Sequence, residues 1–373
     1  MRHRRLRFGR STGSTPVVCR AFSPGARAGV SLLEVLFSMG IVTVGLLGVM
    51  IIVPLAGSRS AQGVIADGAD RLGRNAIRAF DVYQMRRSDT WAKAQYNSQG
   101  IVTSYDVFAG APAFCIDPLY MTSNASSAGI FRFPYLGSGT PATDLTWMPR
   151  ISLTRSPGAT VPSSSPPILW VMSIEQAGQI FLGEDDLVFT LPDDRSSPPQ
   201  QQYDHPLDRN KRQWEGKFSW LATLVQKPDS TLYVLSIVVF HRRDAAVDAE
   251  KMVVVTPIPP NTVLGFNGGD VELSSTEQDD LEMKEGEWLM LAGKNSAGVQ
   301  LFRWYRVQNA DPSPVENAAG TGYVRQLTLF GRDWPFGEIT SSGNITRAIW
   351  MPGVVAVYEK TIHLETSSLW TGL

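Results

Sequence analysis

Cysteine is nearly absent from this chain. Cys19 and Cys115 are the only two in 373 residues. No CxxC pair and no Cys/His cluster occurs, so neither a zinc site of the usual ligand spacing nor a disulfide framework is readable. Without the first 29 residues Cys115 has no intramolecular partner, and it reads as a buried free thiol. Histidine is scarce too: His3, His205, His241 and His363 stand alone, with no HExxH. His241 ends a predicted strand beside Arg242 and Arg243 and reads as a surface residue. No phosphate-binding GxxxxGK[ST] is present. Gly9-Arg10-Ser11-Thr12-Gly13 matches GxSxG in spelling only, because it lies in an arginine-rich stretch with no strand ahead of it. Charged residues make up 18% of the chain, 34 basic against 35 acidic. That balance excludes a broad nucleic-acid surface. No cofactor, no nucleic-acid partner and no solenoid repeat are expected.

What is present is apolar: 43% hydrophobic residues, 10% aromatic. This is enough for a sizeable core, in one large domain or two ordinary ones. The near-zero net charge hides an asymmetry. Residues 1–29 carry Arg2, Arg4, Arg5, Arg7, Arg10, Arg20 and Arg27 and no acid. Residues 30–373 therefore hold 27 bases and 35 acids, a net of −8.

Between Val35 and Ser58 there is no charged residue (VLFSMGIVTVGLLGVMIIVPLAGS). As a helix this run covers roughly 36 Å, against a hydrocarbon core of about 30 Å. A secretory signal has a shorter apolar region, so the run predicts a single membrane helix. The basic arm ahead of it predicts a cytoplasmic N-terminus and a body across the membrane. One acid, Glu34, stands at the start of the run. A carboxylate there needs a partner, a proton or the headgroup boundary.

Gly29, then Val30, Ser31, Leu32, Leu33 and Glu34, with a basic leader before them and an apolar helix after, resemble the processing motif of type IV prepilins. The family includes type IV pilins, minor pilins and the pseudopilins of type II secretion. The resemblance implies that a prepilin peptidase cuts between Gly29 and Val30 on the cytoplasmic face and that the new amine of Val30 is methylated. Gly29 before the cut suits close backbone approach by a protease. The resemblance further implies that Glu34 meets the terminal amine of a neighbouring subunit, since two charges in an apolar filament core are tolerable only when paired. Its partners are then the peptidase, other pilin or pseudopilin subunits and the bacterial inner membrane. The chain departs from the usual pattern in three places: Val30 where Phe is commoner, a leader of 29 residues, and a late helix proline, Pro54.

After the apolar run, Ile65, Ala69, Leu72, Ala76, Phe80 and Tyr83 recur at helical spacing, with charges between them. Gly57, Gly63, Gly68 and Gly73 lower helix propensity and predict bending. One helix is expected from about Ser31 to about Arg87. The division is a leader at 1–29, a transmembrane half at 30–57, an amphipathic half at 58–90 and a β-rich head at 91–373. The fold class expected is α+β, with the long N-terminal helix packed on a sheet-rich head as in pilins.

Strands are predicted at Ile101–Phe108, Ile168–Ile174, Leu187–Leu191, Lys217–Gln226 and Thr231–His241, and further at Trp288–Leu291, Val299–Val307, Tyr323–Phe330, Val354–Glu359 and Thr361–Glu365. Lys227-Pro228-Asp229-Ser230 marks a hairpin turn, and a second hairpin runs from Trp288 through Gly-Lys-Asn to Tyr305. Ser156–Pro167, Pro192–Pro206 and Ala310–Gly322 read as surface loops. Either two lobes or one insertion-rich sheet fits this pattern. Phe302, Trp304 and Tyr305, with Arg303 and Arg306, read as core packing on a half-buried strand.

The acid pairs Asp185-Asp186, Asp193-Asp194 and Asp279-Asp280 read as solvated loop charge; some minor pilins bind calcium, but no EF-hand spacing appears. The sequons at Asn124 and Asn344 read as chance matches. The expected function is a structural or assembly subunit of a type IV pilus or type II secretion filament, not an enzyme. The head is bulky for a bulk filament subunit, which points to low copy number. The competing expectation is a signal-anchored periplasmic protein with a binding or enzymatic head. Secretion after cleavage at Ala56 or Ala61 is disfavoured by the length of the apolar run.

Overall fold

The computed structural model describes residues 31–87, 90–92, 95–96, 102–103, 112–124, 131–135, 146–153, 172, 174–183, 217–228, 230–258 and 268–365. The chain divides into two compact units, residues 1–60 and 61–373. Helix α1 (Leu32–Val82) has 51 residues, about 76 Å at the usual rise.

Ser31 begins α1 as an N-cap. Its hydroxyl accepts from the Leu33 N–H at 3.3 Å, and its carbonyl accepts from the N–H groups of Glu34 and Val35. This satisfies donors that a helix start leaves orphaned. Within the apolar stretch the hydroxyls turn back on the helix: Ser38 bonds the Glu34 carbonyl and Thr43 the Met39 carbonyl, both at 2.7 Å. Pro54 lies inside the helix without ending it.

The helix stops earlier than the expected Arg87, and earlier than the boundary at 90. Gln84 takes a positive φ of 55°. The Gln84 N–H bonds the Asp81 carbonyl and the Met85 N–H bonds the Phe80 carbonyl. This is the Schellman pattern, and the residues it joins, Phe80 and Met85, are both fully buried in one core cluster.

In unit 61–373, α1 buries Ala69, Leu72, Ala76 and Phe80, four of the six predicted stripe residues. Ile65 is half-buried and Tyr83 is exposed. Gly68 and Gly73 serve close packing: a Cβ on Gly68 would meet the Phe218 ring at 2.7 Å, and one on Gly73 would run into the Tyr358 ring.

The strands are β1 (Trp91–Ala92), β2 (Gln95–Tyr96), β3 (Val102–Thr103), β4 (Ala113–Ile116), β5 (Arg132–Phe133), β6 (Met148–Leu153), β7 (Phe218–Gln226) and β8 (Leu232–His241). They continue as β9 (Lys251–Pro257), β10 (Gly268–Ser275), β11 (Trp288–Lys294), β12 (Gln300–Ala310), β13 (Val315–Glu316), β14 (Tyr323–Phe330), β15 (Thr346–Trp350) and β16 (Val354–His363). Short helices α2 (Pro118–Ser123), α3 (Ile174–Phe181) and α4 (Phe336–Ser341) interrupt them.

One sheet runs β1-β6-β4-β7-β8-β16, with β5 on β6. The second runs β10-β9-β15-β11-β12-β14-β13, and an additional β10–β14 pairing closes six of its strands into a barrel. Closure removes the open edges of those strands. Strands β2 and β3 form a separate pair.

Both predicted hairpins form. Strand β7 pairs β8 from Phe218↔His241 to Gln226↔Tyr233, across the Lys227-Pro228 turn. Strand β11 pairs β12 from Trp288↔Arg306 to Lys294↔Gln300. Alternation sorts β7 between two cores. Trp220, Ala222 and Leu224 face α1, while Leu221 joins a cluster with Met290, Phe302, Trp304 and Ile349 of the barrel. The barrel interior holds Leu289, Leu291, Tyr305, Val307, Leu327 and Leu329, plugged by Trp334, Phe336 and Ile339. The head is thus one open sheet and one barrel sharing a core.

Several expectations are corrected. Val354–His363 forms one strand, β16, where two are expected. Ile174 opens α3 and does not close a strand. The stretch 310–322 carries the short strand β13, which pairs β14. Strands β1, β2, β4, β5, β6, β9, β10 and β15 fall outside the predicted strands. Leu187–Leu191, most of Ile101–Phe108, residues 1–30 and the loops 156–167 and 192–206 lie outside the described residues.

Candidate functional site

The sequence motif and the folded head offer two separate sites. In the first, Ser31, Leu32, Leu33 and Glu34 form the first turn of α1; Gly29 and Val30 lie outside the described residues. Glu34 is the third helical residue, three beyond the capping Ser31, and a carboxylate there suits the positive end of the helix dipole. It is the only charge from Leu32 to Ser58. Among the described residues the neighbouring turns offer Ser31, Phe37 and Ser38, none of them basic. An ionised Glu34 therefore has no oppositely charged side chain to pair with from Leu32 to Ser58. The stretch is long and apolar enough to cross a membrane, and among the described residues nothing buries it.

The second site is a buried charge cluster that sequence reading did not find. Asp117 follows β4 and caps α2, accepting from the Tyr120 N–H at 3.3 Å. Arg150 sits in β6, next to β4, with Cys115 as its register partner. Arg243 follows the end of β8, where Arg242 takes a φ of 54°. Glu250 immediately precedes β9. Arg243 grips Asp117 with two bonds, Nη1–Oδ1 at 2.8 Å and Nη2–Oδ2 at 2.6 Å. Arg150 Nη2 reaches both Glu250 oxygens, Oε2 at 2.6 Å. Glu250 Oε2 also accepts from the Tyr135 N–H at 2.8 Å. The Tyr120 ring covers the Arg150 guanidinium at 3.7 Å. Arg150 and Asp117 have no solvent exposure.

Two cations and two carboxylates leave this cluster neutral. Burial pushes the Asp117 carboxyl up, but the charge of Arg243 and its two bonds outweigh that, and the net effect holds it below the usual carboxylate range. Burial, reinforced by Asp117, pushes the Cys115 thiol well up. Burial and Glu250 push the Tyr120 hydroxyl up to about 12. At neutral pH Asp117 therefore stays ionised, and Cys115 and Tyr120 stay protonated. None of the three is poised for proton transfer or nucleophilic attack. The geometry suits a clamp that joins the sheet (β4, β6, β8) to the start of the barrel (β9). Removing one partner of such a pair costs about 3–5 kcal/mol.

No protein-family model and no curated protein matches this chain.

The remaining candidates resolve simply. Among the described residues no group of three His, Cys, Asp or Glu is placed to hold a metal ion. Asp280 bonds the Ser275 hydroxyl at 2.8 Å and Lys251 Nζ at 3.1 Å. The pairs Asp185-Asp186 and Asp193-Asp194 lie outside the described residues. Both sequon amides are engaged: Asn124 Nδ2 donates to the Ala245 carbonyl at 2.8 Å, and Asn344 Nδ2 donates to Ser342 Oγ at 2.8 Å. His241 is half-buried, its ring tilted against Phe218 at 5.1 Å. Phe302, Trp304 and Tyr305 are buried as packing residues. Cys115 is a buried free thiol.

Proposed function

We propose that this chain is a low-copy structural subunit of a type IV pilus or type II secretion filament, of the minor pilin or pseudopilin kind, and not an enzyme. Its leader, 1–29, is removed by a prepilin peptidase between Gly29 and Val30, and the Val30 amine is methylated. The helix then anchors the chain in the bacterial inner membrane, N-terminus cytoplasmic and head periplasmic, until it is drawn into a filament. The observation that carries this reading is the order of parts: a basic leader, Gly29, the helix cap Ser31, and Glu34 as the sole charge ahead of an unbroken apolar helix. A carboxylate placed so has no cationic side chain within the apolar stretch to pair with. The amine released at a neighbour's Val30 supplies one of opposite sign at the apolar boundary.

Glu34→Ala tests this in cells with a filament system. Membrane insertion should persist, because the substitution makes the helix more apolar, while incorporation into filaments falls sharply. Normal incorporation of Glu34→Ala would remove Glu34 from assembly.

A further inference from the structure

We propose that the cleft between the open sheet and the barrel docks an acidic peptide segment of a partner protein, anchored by an aromatic or large aliphatic side chain. The proposal stands on the head alone and not on the filament reading. The cleft encloses about 320 Å³ between β7, β8 and β16 on one side and β11, β12 and β14 on the other. That is the low end of the range for ligand sites, about 300–1,000 Å³. It suits one or two large side chains better than a cofactor.

Its walls are apolar and fixed. Phe302 and Trp304 of β12 face Val357 of β16. The Trp304 indole N–H donates to Thr223 Oγ1 at 3.1 Å, from barrel to sheet, which locks the ring. The edge at the end of β14 is also built. The Tyr305 hydroxyl donates to the Arg332 carbonyl. A Cβ on Gly331 would stand 2.5 Å from the Tyr305 ring, so only glycine lets the chain lie on that ring. The result sets Phe330 and Arg332 along the cleft. Phe330 is 58% exposed, a large aromatic left in water beside an apolar wall. Exposed aromatic and arginine side chains around a fixed pocket are the composition of interface hot spots.

Charge selects the partner. Lys227, Arg303 and Arg332 line the cleft against one acid, Glu359. Glu359 lies 3.4 Å from Arg332 in an exposed pair that water screens. Arg303 bonds the Asp333 carbonyl, and Lys227 has no side-chain partner among the described residues. Residues 30–373 carry a net of −8, so a cationic cleft inverts the local sign. An anionic segment is steered there, and its apolar anchor fills the walls.

The test uses the full chain in detergent micelles and fluorescence anisotropy with three labelled peptides, DEFLDE, KKFLKK and DEGGDE. DEFLDE should bind saturably, and the other two at least about tenfold more weakly. Arg332→Glu, Arg303→Glu and Val357→Trp should each weaken DEFLDE binding by roughly tenfold. Lys284→Glu, outside the cleft, should leave it unchanged. Arg332 is largely exposed, so its variant keeps the test valid where Val357→Trp fails to fold. DEFLDE binding no tighter than the controls, or undiminished in the arginine variants, overturns the proposal. Self-association of the chain that DEFLDE disrupts would make a second copy the occupant and overturn the choice of a different partner.

Discussion

The two stretches of α1 use the same small residue for opposite reasons. In residues 32–63 the glycines Gly40, Gly45, Gly48, Gly57 and Gly63 have nothing within 4 Å of where a Cβ would stand. Further on, Gly68 and Gly73 would drive a Cβ into the rings of Phe218 and Tyr358. The apolar stretch exposes its large side chains, Leu36, Phe37, Ile41 and Leu46 among them, while the later stretch buries Leu72 and Phe80. The helix is continuous, so the difference lies in what each stretch meets. The second meets a sheet of its own chain. The large apolar side chains of the first are exposed among the described residues, and a lipid bilayer or other helices are the surroundings in which such a surface is stable.

The largest effect expected on the head comes from its charge clamp. Arg150→Met leaves Glu250 buried without its partner and should destabilise the head by about 3–5 kcal/mol, read from denaturant unfolding of the full chain. Arg150→Met with Glu250→Leu should recover much of that loss, since apolar replacement of a whole buried pair is often neutral. No recovery would mean that the clamp contributes more than charge compensation.

Next in size is the glycine contrast. Gly73→Ala should cost roughly 1–3 kcal/mol by overpacking against Tyr358. Gly63→Ala should instead stabilise by about 0.5–1 kcal/mol, because its surroundings are open and alanine is the better helix former. Equal effects at the two positions would break the comparison.

Acid comes third. The folded Asp117 carboxyl is held below its ordinary value of 3.8. Its contribution is therefore present above about pH 4 and lost as pH falls through the folded value. Thermal unfolding followed from pH 6 down to pH 2 should show that loss, and Asp117→Asn should flatten the acid limb. The smallest effect is at Glu34. Glu34→Ala should change head stability by less than about 0.5 kcal/mol, since the residue is exposed and belongs to the other compact unit.

Much of this molecule was legible because its signals are local. The apolar run and the three-and-four spacing of Ala69, Leu72, Ala76 and Phe80 mark α1. The runs around Trp220 and Val238, split by Lys227-Pro228, mark the β7–β8 hairpin. What escaped depends on partners far along the chain. The end of α1 rests on Gln84 in a left-handed conformation, with no glycine to announce it. Barrel closure rests on β10 meeting β14, which no local pattern encodes. Gly68 and Gly73 read as bending points because Phe218 and Tyr358 are distant in sequence. The clamp had one local clue, Arg150 as the one charge in the strand Met148–Leu153. An arginine in such a strand needs buried acids, and Asp117 and Glu250 come from distant loops.

The central claim is that the apolar stretch begins a processed filament subunit. The most direct test is the mass of the N-terminal peptide of the protein taken from membranes of cells that hold a prepilin peptidase. The account predicts a chain starting at Val30, with a methylated amine. An N-terminus at Met1, or one beyond Ala56, would contradict it.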